Sequence, residues 1–209
     1  MSKGSAGARK RVVKPAAERR ADLLDAALRV FAERGVADAT ISDITTRADV
    51  AKGTFYLYFP TKEQVVAALW ERYVAGYLEL AEDILEDRTL GDAWVDALAA
   101  LLERLIEHAV EHAELHRIVY GSADAKALAL CAETNQQVVD LLAEAIERGM
   151  DSGALRPGSP QVFADILYHG AHAALHDMIS GNASFTQADV VATVHAIVHT
   201  LAPGEEQRT

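Results

Sequence analysis

Eight histidines occur in this 209-residue chain, and all follow residue 107: His108, His112, His116, His169, His172, His176, His195 and His199. Most neighbours in this set are three or four positions apart, a spacing that brings side chains together on one helix face. Imidazoles so paired can share a transition metal such as zinc, nickel or copper. Glu111 and Asp165 are the carboxylates placed to join such a site or to orient its imidazoles. His108, His112, His169 and His172 are therefore the first candidates for a metal-sensing site. The string His108-Ala-Val-Glu111-His112 also fits H-x-x-E-H, the inverted zinc-peptidase pattern. A metal-dependent hydrolase would further need a distant third ligand and an enzyme fold around the motif. Without a metal, the same histidines edge a ligand pocket, a helix surface or a dimer interface, where a pH response is a variant.

A second constellation spans Thr40 to Lys62, T-I-S-D-I-T-T-R-A-D-V-A-K-G-T-F-Y-L-Y-F-P-T-K. Thr40 or Ser42 can cap a helix, and Asp43 suits its first turn. Ile41, Ile44, Ala48 and Val50 supply an inward face. Asp49-Val50-Ala51 reads as a tight turn. A short helix from Lys52 to Tyr58 follows, ended by Pro60. Two short helices around such a turn make a helix-turn-helix. Its second helix presents Lys52, Gly53, Thr54, Tyr56 and Tyr58, groups suited to a DNA groove and its phosphates. Phe55 and Phe59, four apart, read as packing. Tyr56 and Tyr58 are open to both packing and contact.

The string T-x-x-D-I, then A-x-V-x-x-G-T-F-Y-x-Y-F, then K-E, resembles the DNA-binding domain of the tetracycline-repressor (TetR) family over about Leu23 to Val66. The resemblance implies an all-α homodimeric regulator, usually a repressor released from a palindromic operator in double-stranded DNA by a small effector. It puts the DNA contacts at Thr40, Ser42, Lys52, Gly53, Thr54, Tyr56, Tyr58 and Lys62. It also implies dimerisation through the last two helices. It does not account for the histidines.

Composition agrees with an all-α fold. Half of the chain is apolar, only 6% is aromatic and five prolines interrupt it. The net charge of −11 is divided unevenly. Residues 1–62 carry 12 Lys+Arg against 7 Asp+Glu, a balance of +5, leaving −16 for residues 63–209. The positive end can meet phosphates while the acidic body stays off them. The single cysteine, Cys131, excludes an intramolecular disulfide and fits a reducing cytosol. No apolar run long enough for a membrane span and no signal peptide is read, so a cytoplasmic protein is expected.

These residues need helices to position them. Residues 1–16 read as a basic, disordered arm. Residues 17–63 form the helix-turn-helix domain, with a first helix over 17–34 closed by Gly35 and a second over 42–48. Residues 64–203 form a helical effector-binding and dimerisation domain, and residues 204–209 a tail. Thr61 caps a long fourth helix reaching about Leu85, with Gln64 completing a capping box. A break at Thr89-Leu90-Gly91-Asp92 precedes a helix over 92–112 and a kink before His116. Helices over 125–149, 160–180 and 187–201 complete the chain. Trp94, Leu98, Leu101, Leu105, His108 and His112 share one face of the fifth helix. With Tyr120, Tyr168 and His172 they are the expected effector pocket, suited by its apolar majority to a mostly hydrophobic ligand. No cofactor is expected beyond a metal acting as effector, and no catalytic residue.

Overall fold

The computed structural model describes residues 14–86, 93–122 and 124–203. Most of the basic arm, the expected break at residues 89–92 and the tail lie outside them. The described residues fold into helices α1 (Ala16–Asp38), α2 (Ile41–Arg47), α3 (Lys52–Tyr56), α4 (Lys62–Glu86), α5 (Trp94–Glu111), α6 (Ala113–Ser122), α7 (Ala125–Asp151), α8 (Pro160–Ile179) and α9 (Gln187–His199).

The amino-terminal helices close around Leu23, Leu24, Ala27, Phe31, Ile44, Phe55 and Phe59, all buried. Gly35 breaks α1 as expected, with φ 75° and ψ 165°, but helical turns resume for Val36 to Asp38. Thr40 caps α2 reciprocally. Its Oγ1 accepts from the Asp43 N–H at 3.1 Å while the Asp43 carboxylate accepts from the Thr40 N–H at 3.0 Å. Asp49 takes φ 51° in the turn, a left-handed conformation that aspartate tolerates better than most residues. The helix α3 stops at Tyr56, two residues short of expectation, because Leu57 and Tyr58 form a turn.

From there α4 runs as a long strut from the helix-turn-helix into the body. Its start is capped by Thr61 Oγ1, which accepts from the Gln64 N–H at 3.3 Å. It packs mainly on α7, while α7 also packs on α8 and α5 on α9. Buried apolar residues run continuously from Leu23 to Leu201. The break between α5 and α6 falls at His112 (φ −105°, ψ 25°), at the expected end of the fifth helix and before His116. Gly149 lies inside α7 rather than ending it, and α8 begins at Pro160 behind the Ser159 cap. No helix among the described residues is long and apolar enough to cross a membrane.

Candidate DNA-facing surface and effector site

On the amino-terminal unit, Thr40, Ser42, Lys52, Gly53 and Tyr56 are exposed, and Thr54 and Tyr58 are partly exposed. Tyr56 projects with 49% of its surface free, while Phe55, its neighbour in an edge-to-face contact, is fully buried. A helix this short holds its position through packing, and Phe55 and Phe59 supply it, their ring centroids 5.8 Å apart. No atom comes within 4 Å of a Cβ placed on Gly53 from within the chain, so another molecule can approach that backbone closely. Ion pairs lock the frame. Arg47 forms a two-pronged pair with Glu33, and Arg34 lies 3.3 Å from Asp43. The Arg47 hydrogen bond holds the Glu33 carboxyl below its ordinary range, and bonds from Thr40 do the same for Asp43.

Lys62 departs from expectation. Its ammonium donates to the carbonyls of Val36, Ala37 and Ala39, the last two at 3.0 Å. Unpaired carbonyls at a helix end attract a cation. Lys62 thus closes the end of α1 instead of reaching outward.

In the body, side chains from α4, α6, α7 and α8 meet in a cluster of aromatic rings. Trp70 lies edge-on to His116 and Tyr120, both at 5.3 Å, and within 6.4 Å of His172. Its indole N–H donates to Asn135 Oδ1 at 2.6 Å, and Asn135 in turn donates to the Tyr120 hydroxyl at 3.1 Å. The His116 and His172 rings are 4.9 Å apart. Burial, and then the neighbouring histidines, hold His116 down to about 3 and His172 down to about 4. Burial also raises the Tyr73, Tyr77 and Tyr168 phenols well above their usual range and the Tyr120 phenol to about 12. All these groups are neutral near pH 7. Beside this cluster lies a cavity of about 40 Å³, walled by leucines of α5, α7 and α8 together with Tyr77, Tyr168 and His172.

Residues 23–69 match the model of the bacterial regulatory proteins of the tetR family. Over these residues the chain is similar to the DNA-binding domain of the TetR family. It is similar to the fatty acid metabolism regulator protein of Bacillus subtilis, with 40% identity over 68 residues, 32% of this chain and 35% of the relative. It is also similar to the transcriptional repressor KstR2 of Mycobacterium tuberculosis, with 27% identity over 155 residues, 72% of this chain and 74% of that one. The fold matches that of FadR from B. subtilis solved with stearoyl-CoA, with a TM-score of 0.68 at 22% identity over 88% of this chain and 98% of the other. The chain spans about a third of the length of the B. subtilis relative that it matches.

Within this fold, the expected pocket residues separate. Leu105, Tyr168 and His172 line the cavity, and Tyr120 stands behind it with its ring 4.7 Å from His172. Trp94, Leu98 and Leu101 are core residues instead, each at most 5% exposed. Trp94 packs against Gly149, where an added Cβ would come within 2.4 Å of its indole nitrogen. His108 and His112 sit further out, their ring centroids 4.2 Å apart, with His108 stacked on Tyr73 at 5.0 Å and His112 tilted against it at 5.5 Å.

The four metal candidates do not assemble. His108, Glu111 and His112 can bring ligand atoms within 4.8 Å of one another, but neither His169 nor His172 joins them. One nitrogen of His108 and one of His112 are already engaged. His108 Nε2 donates to the Tyr73 carbonyl at 3.2 Å and His112 Nδ1 to the His108 carbonyl at 2.9 Å. His169 faces outward beside Asp165, 3.9 Å away. Sequence reasoning missed Asn135, Leu102, Leu142 and Leu175. The helical spacing of the three leucines marks them as core, and nothing in it distinguishes a core wall from a cavity wall. Spacing places His116 in a row with His108 and His112 and does not single it out.

Proposed function

We propose that this chain is a homodimeric DNA-binding transcriptional regulator, a repressor released from a palindromic operator by a small, mostly apolar effector. The observation that carries the reading is the surface of α3. Lys52, Gly53 and Tyr56 stand exposed on a short helix pinned by Phe55, with the Thr40-capped start of α2 beside it. A cation, a bare backbone and a phenol in that order suit phosphates and base edges. Thr54 and Tyr58 border the same surface. Relatives named as a transcriptional repressor and as a fatty acid metabolism regulator support this reading.

The dimer is assigned to α8 and α9. Val162 and Ile166 on α8 and Ile197 on α9 are 53%, 58% and 41% exposed, beside an apolar groove of about 430 Å³. A contiguous apolar face of this kind fits a self-complementary contact between two copies. An effector held among α4, α6, α7 and α8 acts on α4, the strut to the helix-turn-helix, and so on the spacing of the two α3 helices. It must bind the two spacings unequally for DNA to be released.

Fluorescence anisotropy with DNA from upstream of the protein's own gene tests the DNA-facing surface. Lys52→Ala and Tyr56→Ala are each expected to weaken binding at least about tenfold, the effect of about 1.4 kcal/mol, with the dimer intact by sedimentation. Unchanged affinity in both overturns the α3 assignment.

A further inference from the structure

His116 is 1% exposed, and neither of its ring nitrogens has a hydrogen-bond partner. The buried Tyr168 hydroxyl and His172 Nε2 are also unpartnered. Buried polar atoms without partners are uncommon singly, and here they gather in one place. The Tyr168 and His172 rings are stacked 5.7 Å apart, and His172 leads to His116. Both Tyr168 and His172 open on the cavity of about 40 Å³, whose remaining walls, Tyr77 apart, are apolar. The cavity has room for only about three waters. A larger guest must part α8 from α5 and α7, whose leucines form the walls.

We propose that this cavity is the head-group end of the effector site, and that it takes an amphiphile bearing one carboxylate together with one proton, which the protein receives on the imidazole pair His116 and His172. This rests on the regulator reading given above and deepens it. A carboxylate offers several acceptor sites on two oxygens, matching the Tyr168 O–H and the imidazole N–H groups. An anion entering an apolar site needs a counter-charge. The groups facing the pair are Trp70 and Tyr73 from α4, Tyr120 from α6, and Tyr168, His169 and His176 from α8, with Tyr77 across the cavity and Asn135 of α7 behind Tyr120. Among the described residues, the charged-state neighbours acting on the two imidazoles are other histidines. Among the described residues that line or adjoin the cavity, the imidazoles are the groups that can supply the positive charge, by taking a proton from solvent. Burial now keeps them neutral, and the carboxylate reverses that balance. The charges balance: carboxylate, neutral imidazole and one proton become a carboxylate–imidazolium pair. A cationic head finds no carboxylate there, and an alcohol satisfies fewer of the unpartnered atoms.

Titration calorimetry of the full chain, at pH 7 in two buffers of unequal ionisation enthalpy, tests this with decanoate, decanol and decyltrimethylammonium as probes. Decanoate is expected to bind one per chain with uptake of about one proton, and to weaken as pH rises, by up to about tenfold per unit. Tyr168→Phe, which removes one hydroxyl, should weaken it about tenfold without lowering Tm, and His172→Gln should reduce the proton uptake. Absence of decanoate binding at millimolar concentration, binding without proton uptake, preference for the alcohol or the cation, or an unaffected Tyr168→Phe variant overturns the proposal. Anisotropy on the same preparation separates the two readings. DNA binding with no decanoate binding removes only this inference, whereas wild-type protein that binds no operator removes the regulator reading itself.

Discussion

The Trp70 indole N–H donates to Asn135 Oδ1 at 2.6 Å, joining residues 65 positions apart and tying α4 to α7. The α4 end of this bond lies on the helix that begins at the helix-turn-helix. Its α7 end lies beside Tyr120 and the imidazole pair. Trp70 is fully buried, so its N–H has no recourse to water. Asn135→Leu leaves that donor unpaired and is expected to cost about 1–3 kcal/mol, measured as a lower urea midpoint. An unchanged midpoint would mean that the indole finds another acceptor.

Lys62 offers a test in which two roles give opposite signatures. As a phosphate contact, its loss would flatten the salt dependence of operator binding by about one unit of slope. As the cation closing α1, its loss lowers stability instead. Lys62→Met is expected to lower Tm, with a cost of about 1–3 kcal/mol, and to leave the salt slope as it was. The slope of anisotropy-derived affinity against salt concentration decides.

Gly149 lies where a side chain does not fit. A Cβ there would come within 2.4 Å of Trp94 Nε1 and 2.7 Å of a Leu155 methyl. Gly149→Ala is expected to destabilise the body by about 1–3 kcal/mol through overpacking. Circular dichroism melts would register this, and a melt equal to wild type would show that Trp94 moves aside freely.

Acid should weaken the fold in a window set by the buried imidazoles. Folded His116 and His172 are held down to about 3 and about 4, against 6.5 for a free histidine. Below pH 6.5 the unfolded chain binds more protons, so the stabilisation is complete above 6.5 and is lost as pH falls toward those folded values. Between pH 7.5 and pH 5 the loss is about 2 kcal/mol per imidazole. The lowered carboxyls of Glu33, Asp43 and Asp189 act in a more acidic window. Urea midpoints at the two pH values should show the loss in wild type and a smaller one in His172→Leu. Equal losses in both would mean that His172 is not held neutral in the fold.

The helix-turn-helix was legible because its signals are local. Thr40 with Asp43, the Asp49 turn, and Phe55 with Phe59 each act over four residues or fewer, and the structure uses each in the expected way. The two-residue errors at the end of α3 and around Gly149 arise where the chain must turn against other helices. Spacing likewise determined that Trp94, Leu98, Leu101 and Leu105 share a face of α5. Whether that face meets a cavity or solid core depends on what packs opposite, and Trp94 meets Gly149, 55 positions away. The histidines divide in the same way. His108 and His112 were neighbours by helical spacing alone. His116 and His172 became neighbours only when α6 and α8 packed together. Local periodicity therefore determined which side chains face inward, and tertiary packing decided which of them meet, because side chains brought together from separate helices leave no trace in the spacing of either one.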